Sequence, residues 1–175
     1  MARRPDPDAF LTALRPHYDD ALRLCRGLCA DWRPNEAEDV FQSALVKALE
    51  RFDQLDDPDA FRPWFFRTLT RTFYSAVRWR KVRRVLPLPT DADAVDLGLY
   101  ADAPEPGDRA DLLAALALLK PKERAALLLY EVGGLSVAEI AEVQGDRSRS
   151  AVKSRLARAR ERAAALDPAR PTFAL

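Results

Sequence analysis

Apolar residues recur at steps of three and four along most of the chain. Leu11, Leu14, Tyr18, Leu22 and Cys25 form one series, and Ala37, Val40, Phe41, Ala44, Leu45, Ala48 and Leu49 form a second. That period is helical, and no segment alternates as a strand would, so the spacing predicts an all-α protein. Pro34-Asn35 separates the first two helices, with Asn35 positioned as an N-cap, and Asp57-Pro58-Asp59 precedes a long third helix starting near Ala60. Periodicity resumes at Ala110 with Leu112, Leu113, Leu116 and Leu119, stops at Pro121, and restarts through Leu127, Leu128 and Val132 to Gly133-Gly134. Ser136 can cap a short helix carrying Val137, Ile140 and Ala141 that ends at Gly145, and a last helix runs from about Ser150 to Leu166.

From Val85 to Asp108 the pattern lapses into Pro, Asp and Gly, which reads as a linker. The expected layout is two small helical domains, 1–84 and 109–166, joined by a flexible acidic linker, 85–108, with a tail at 167–175. Each small half has a thin core, so both are expected to be modestly stable alone and to move independently.

The formal net charge is only +1, but the charge is segregated. Arg62, Arg67, Arg71, Arg78, Arg80, Lys81, Arg83 and Arg84 stand in a stretch without an acid, and 147–162 is basic with Glu161 as its single acid. Asp91, Asp93, Asp96, Asp102, Glu105 and Asp108 lie between them. Two basic blocks around an acidic spacer suggest two polyanion-binding surfaces, because phosphate contacts follow local charge. No run is long enough to span a bilayer and no apolar signal core follows Met1, so a cytoplasmic protein is expected. Cys25 and Cys29 share a helix face, and with His17 they fall short of a metal-ligand set, so neither metal nor cofactor is expected. There are no paired carboxylates in a plausible pocket, no phosphate-cradling glycine loop and no nucleophile beside a base, which argues against an enzyme.

A short capped helix, a glycine turn and an Arg-rich helix make a helix-turn-helix, whose second helix ordinarily enters the major groove. At 100° per residue, Val152, Leu156, Ala159 and Ala163 share the core side of the last helix. Ser154, Ala157, Arg158 and Glu161 lie opposite, Lys153 with Arg160 flanks one edge, and Arg155 with Arg162 flanks the other. Small and hydrogen-bonding groups at the centre reach base edges while cations on the shoulders meet phosphates. Arg158 is the leading candidate for base readout, and Arg149 adds a cation in the turn.

On the third helix, Arg67, Arg71, Tyr74, Arg78 and Lys81 form one stripe at steps of four and three, opposite Phe65, Leu69, Thr72 and Ala76 with Trp79 at the buried edge. Cations with an aromatic among them suit single-stranded or distorted DNA. Phe61, Trp64, Phe65, Phe66 and Phe73 are assigned mostly to the core. The second helix presents Glu38, Asp39, Gln42 and Lys47, too poor in positive charge for phosphate; it is either solvent surface or a protein-docking face.

These residues together resemble the extracytoplasmic-function sigma factors of bacterial RNA polymerase. Ala37-Glu38-Asp39-Val40-Phe41-Gln42 resembles their region-two helix, and Phe61-Arg62-Pro63-Trp64-Phe65-Phe66-Arg67 the start of their promoter-melting segment. Leu118 to Arg124, Gly134 to Ala141 and Val152 to Arg160 resemble their region four. The resemblance implies a non-enzymatic subunit that binds the clamp and flap of core polymerase and directs initiation at promoters. It puts Glu38, Asp39 and Gln42 at the polymerase contact, and Lys153, Ser154, Ala157 and Arg158 on the minus-thirty-five element. The stripe around Arg71 and Tyr74 falls on the minus-ten element, where the family flips a base out of the duplex. The acidic linker would thread toward the polymerase channels, and an anti-sigma protein is an implied further partner. Where the family usually has Asn, Asp and Glu, this chain has Arg71, Ser75 and Ser43; its turn from Gly145 to Val152 is also one residue longer. These departures leave a sigma-like DNA-binding regulator as the alternative.

Overall fold

A computed structural model describes residues 6–85 and 107–166, and all the regular structure among them is helical. The first half begins with α1 (Pro7–Leu14), where Oδ1 of Asp6 accepts hydrogen bonds from the N–H groups of Asp8 and Ala9 at 3.1 and 3.2 Å. The single first helix expected from periodicity is broken. Pro16 supplies no N–H, so a 3-10 turn at Arg15–His17 intervenes before α2 (Tyr18–Leu28). The next helix, α3 (Pro34–Glu50), starts two residues earlier than the sequence suggested: Pro34 takes the first helical position and Arg33, not Asn35, is the N-cap. Oε2 of Glu36 closes that end by accepting from the N–H of Arg33 at 3.0 Å. A 3-10 turn at Pro58–Ala60, capped by Asp57, leads into α4 (Phe61–Val85). The second half contains α5 (Gly107–Ala117), α6 (Pro121–Glu131), α7 (Val137–Gln144) and α8 (Arg149–Leu166). The expected acidic linker lies almost wholly outside the described residues.

Helix α4 packs along α3 and α2, and its aromatic residues fill the space between them. Phe61, Phe65, Phe66 and Phe73 are buried as expected, and Trp64 is partly buried. Phe10 meets the ring of Phe61 edge-on at 5.9 Å, and Phe61 stacks on Phe65 at 5.7 Å. Such pairs each contribute about 0.5–1.5 kcal/mol beyond the area they bury. Thr68, Thr70 and Thr72 each donate to the carbonyl four residues back, which satisfies their hydroxyls against the apolar packing, and exposed Ser75 makes the same bond to Arg71. Outside this core, Leu11, Tyr18 and Val46 are exposed at the rim of an open apolar recess between α1 and α3.

The structure departs from the expectation of two independent thin cores. Buried Leu116, Leu119 and Leu128 of the second half close against α2 of the first, so one apolar core runs through both. Gly27 makes this approach possible: a Cβ there would lie 2.9 Å from Cδ1 of Leu128 and 3.5 Å from Cδ1 of Leu116.

Two arginines lock the seam through backbone carbonyls. Arg62 of α4 donates to the carbonyls of Val132 and Gly133, each at 2.7 Å. Arg124 of α6, 1% exposed, donates to the carbonyl of Leu28 at 2.7 Å and of Leu119 at 3.1 Å, and pairs with Asp31. The carbonyl of Leu28 lies at the C-terminus of α2, where the helix dipole favours a cation.

Candidate nucleic-acid interface

The sequence Ser136-Val137-Ala138-Glu139 builds a capping box at the start of α7. Oγ of Ser136 accepts from the N–H of Glu139 at 3.3 Å, and Oε2 of Glu139 accepts from the N–H of Ser136 at 2.9 Å. These bonds from Ser136, together with nearby Arg67, hold the Glu139 carboxyl below its ordinary pKa. Gly145 ends α7 in the left-handed region at φ +68°, which costs an L side chain but not glycine. The turn then delivers α8 from Arg149, one residue before the expected start.

Helix α8 lies on α6 and α7 through Val152, Leu156 and Ala159, all buried. Ser154, Ala157, Arg158 and Glu161 are exposed on the opposite side, as are Arg149 and Lys153. This is the small-centred, cation-flanked face that a major groove accommodates.

The remaining cations do not stand free as the periodicity implied. Arg155 is a correction: it is half-buried, held by Asp146 and by Oε1 of Gln144, and so is not a shoulder group poised for phosphate. The hydrogen bond from Arg155 is also the main reason the Asp146 carboxyl sits below its ordinary pKa. Arg160 is partly withdrawn too, pairing with Glu131 at 2.8 Å over the ring of Tyr130. Arg158 and Arg162, expected in separate roles, converge on one buried carboxylate: Nε of Arg158 is 3.2 Å from Oε1 of Glu123, and Nη1 of Arg162 is 2.6 Å from its Oε2.

The stripe on α4 is divided in the same way. Arg71, Arg78 and Lys81 are exposed, and Arg78 donates to Oγ of Ser75 at 3.1 Å. Arg67 and Tyr74 instead face the second half, correcting their expected place on an open surface. Arg67 pairs with Glu139 at 3.1 Å, and the hydroxyl of Tyr74 accepts from Nε2 of Gln144 at 2.9 Å. Burial pushes the Tyr74 phenol far above its ordinary pKa. Conversely, Trp79, placed by periodicity at the buried edge, is 56% exposed, with Val82 exposed beside it. The signal that could have found it was local: Trp79 sits within Arg78-Trp79-Arg80-Lys81, where Arg80 turns back over Trp32 at 4.2 Å.

Glu38, Asp39, Gln42 and Ser43 lie exposed along α3, continuous with exposed Val46. Cys25 and Cys29 are buried, and the neighbouring Cys25 thiol, followed by burial, pushes the Cys29 thiol above its ordinary pKa. His17 stacks on Phe61 at 6.0 Å. Among the described residues no group of three or more His, Cys, Asp or Glu could hold a metal, and no helix is long and apolar enough to cross a membrane.

Comparison with known proteins finds the same two-part order. The family described as Sigma-70 region 2 matches residues 13–85, and Sigma-70, region 4 matches 109–162. The chain is 31% identical over 150 residues to the RNA polymerase sigma-E factor of Streptomyces avermitilis, covering 86% of this chain and 80% of that protein. It is 34% identical over 155 residues to the ECF RNA polymerase sigma factor SigE of Mycolicibacterium smegmatis, covering 85% of this chain but spanning only 57% of that relative. Among solved structures, the sigma factor RpoE in complex with the anti-sigma factor NepR from Bartonella quintana superposes with a TM-score of 0.71 at 25% identity. That match covers 93% of this chain and 99% of the solved one.

Proposed function

The chain belongs to the extracytoplasmic-function sigma factors of RNA polymerase, and from that premise we propose that it binds core polymerase through α3 and reads promoter DNA with α8 and α4. The observation that carries this reading is the α8 face: Ser154, Ala157 and Arg158 exposed on the side away from buried Val152, Leu156 and Ala159, with Lys153 exposed at its edge. On that face Lys153 and Arg149 meet phosphates, while Arg158 reaches base edges on the minus-thirty-five element. Arg160 and Arg162 supply further charge at the margins, and Arg155 acts by holding the turn.

In the first half, Arg71, Arg78 and Lys81 follow the backbone of the melted minus-ten strand, with Arg67 and Tyr74 joining once the second half moves away. The domains are 1–84 and 109–166, connected by the acidic segment 85–108. Glu38, Asp39 and Gln42 form the polymerase contact, with Val46 adding apolar area. The protein acts as a specificity subunit without catalysis of its own, in the cytoplasm where core polymerase works.

An anti-sigma protein is a further partner, supported by the solved sigma factor RpoE bound to the anti-sigma factor NepR. Such a partner would act on the closed form, in which Tyr74 is already covered. Transcription in vitro with core polymerase on a genomic fragment library tests the whole reading. Discrete start sites that depend on the chain are expected. Retention of DNA without transcription or polymerase binding would favour the regulator reading that Arg71 and Ser75 raise.

A further inference from the structure

Glu123 is nearly buried, its side chain 6% exposed, yet the groups that reach it come from the most exposed face of the second half. It lies in the first turn of α6, where the helix dipole favours an anion, and α6 packs along α8. Arg158 and Arg162 are four apart on α8 and so project together toward that carboxylate. Each oxygen takes one of them: Oε1 faces Nε of Arg158 at 3.2 Å, and Oε2 faces Nη1 of Arg162 at 2.6 Å.

The choice of atom matters. An arginine reads guanine with a planar pair of donors, and a guanidinium held by Nε still presents Nη1 and Nη2 as such a pair. Among the described residues neither terminal nitrogen of Arg158 has a hydrogen-bond partner, and the side chain is 52% exposed. A long side chain left free would sample many rotamers and lose that freedom on binding; a carboxylate fixed by burial removes part of that loss beforehand.

We propose that Glu123 is a positioning residue for promoter recognition, fixing the guanidinium of Arg158 by Nε so that its two terminal nitrogens meet a base edge as a paired donor. This rests on the reading of α8 as the helix that enters the major groove. Glu123 touches no DNA in this role and acts only through Arg158. Its charge also offsets one of the two cations, so its removal should raise attraction for phosphate generally while loosening discrimination.

The test uses holoenzyme assembled from core polymerase and the full chain. A fragment is first selected from genomic DNA, and the base pairs upstream of its start site are then randomised and reselected with each variant. Arg158→Ala is expected to flatten preference at one or two upstream positions by roughly tenfold. Glu123→Ala should flatten the same positions while total retention of the pool holds or rises, and the double variant should go no further than Arg158→Ala alone. Glu123→Gln preserves shape and guards against misfolding; it should give an intermediate loss at those positions with an unchanged melting temperature. A uniform fall in retention with Glu123→Ala and Glu123→Gln, the base profile intact, would overturn positioning while Arg158→Ala still reports readout by α8. If Arg158→Ala also leaves the upstream profile unchanged, the assignment of α8 fails and the proposal with it.

Discussion

Tyr74 and Gln144 are hydrogen-bonded across the two halves of the molecule, the amide nitrogen of one donating to the phenol of the other at 2.9 Å. The same amide nitrogen donates to the carbonyl of Lys122 at 2.8 Å, and the amide oxygen accepts from Arg155 at 2.5 Å. Gln144 is thereby fully committed, and Tyr74 is sealed by the helix-turn-helix itself. A tyrosine in this position cannot stack on a base while the seam is closed, so the role proposed for Tyr74 requires the seam to part.

A wedge at Gly27 should open the molecule. Gly27→Leu suits a helix better than glycine does, yet its side chain must occupy the space of Leu128 and Leu116. Small-angle scattering should report a larger radius of gyration for the variant, with helix content retained by circular dichroism. An unchanged particle would mean that Leu128 shifts without the seam parting.

Arg124→Met should destabilise the fold more than any other substitution at the seam. It strands the carbonyls of Leu28 and Leu119 and leaves Asp31 without its partner. Since Asp31 keeps 47% of its side-chain exposure, the expected cost is about 2–4 kcal/mol rather than that of a fully buried pair. Urea unfolding followed by circular dichroism measures it directly.

Acid should loosen the second half first. Asp146 and Glu139 both have carboxyl pKa values below the ordinary ones, so each contributes stability above the unfolded-state pKa and loses it as pH falls through the folded-state value. The melting temperature should be level from neutral pH to about 5 and should fall steeply below about 4. Asp146→Asn should start lower at neutral pH and show a shallower acid limb. Because Glu139 also holds Arg67, scattering should register opening over the same interval.

Reversing charge on α3 tests the polymerase face separately from the DNA face. Asp39→Lys and Gln42→Ala change exposed side chains opposite buried Val40 and Phe41, so melting should move by less than about 0.5 kcal/mol. Retention by immobilised core polymerase should nevertheless fall severalfold for Asp39→Lys and less for Gln42→Ala. Equal retention of both variants would remove α3 from the interface.

Much of this arrangement was legible before the structure because it depends on local pattern. Val152, Leu156 and Ala159 fall on one side of any helix drawn through them, and Ser136 with Glu139 announces a helix start by spacing alone. Asn35 is not the N-cap because Pro34 beside it is the stronger start signal, and Pro16 breaks an otherwise regular apolar series. What could not be read was the seam. Leu116, Leu119 and Leu128 look like core residues of their own half, and nothing in a helical period says which neighbour they meet. The long cations were illegible for a related reason: periodicity fixes where Arg62, Arg155 or Arg158 leaves its helix, while the reach of the side chain decides which distant acceptor it finds.

The acceptors that hold the seam at Val132, Gly133 and Leu28 are main-chain carbonyls. A carbonyl is present whatever residue carries it, so sequence drift on the receiving side leaves these bonds available as long as the backbone keeps its path. The donors have no such tolerance, since lysine offers a point charge where Arg62 and Arg124 each offer a fork. For these carbonyl-held bonds the mutational risk is therefore lopsided, resting on Arg62 and Arg124 and not on the residues whose carbonyls they grip. Homologues that lack either arginine are the ones in which the two halves should be found apart.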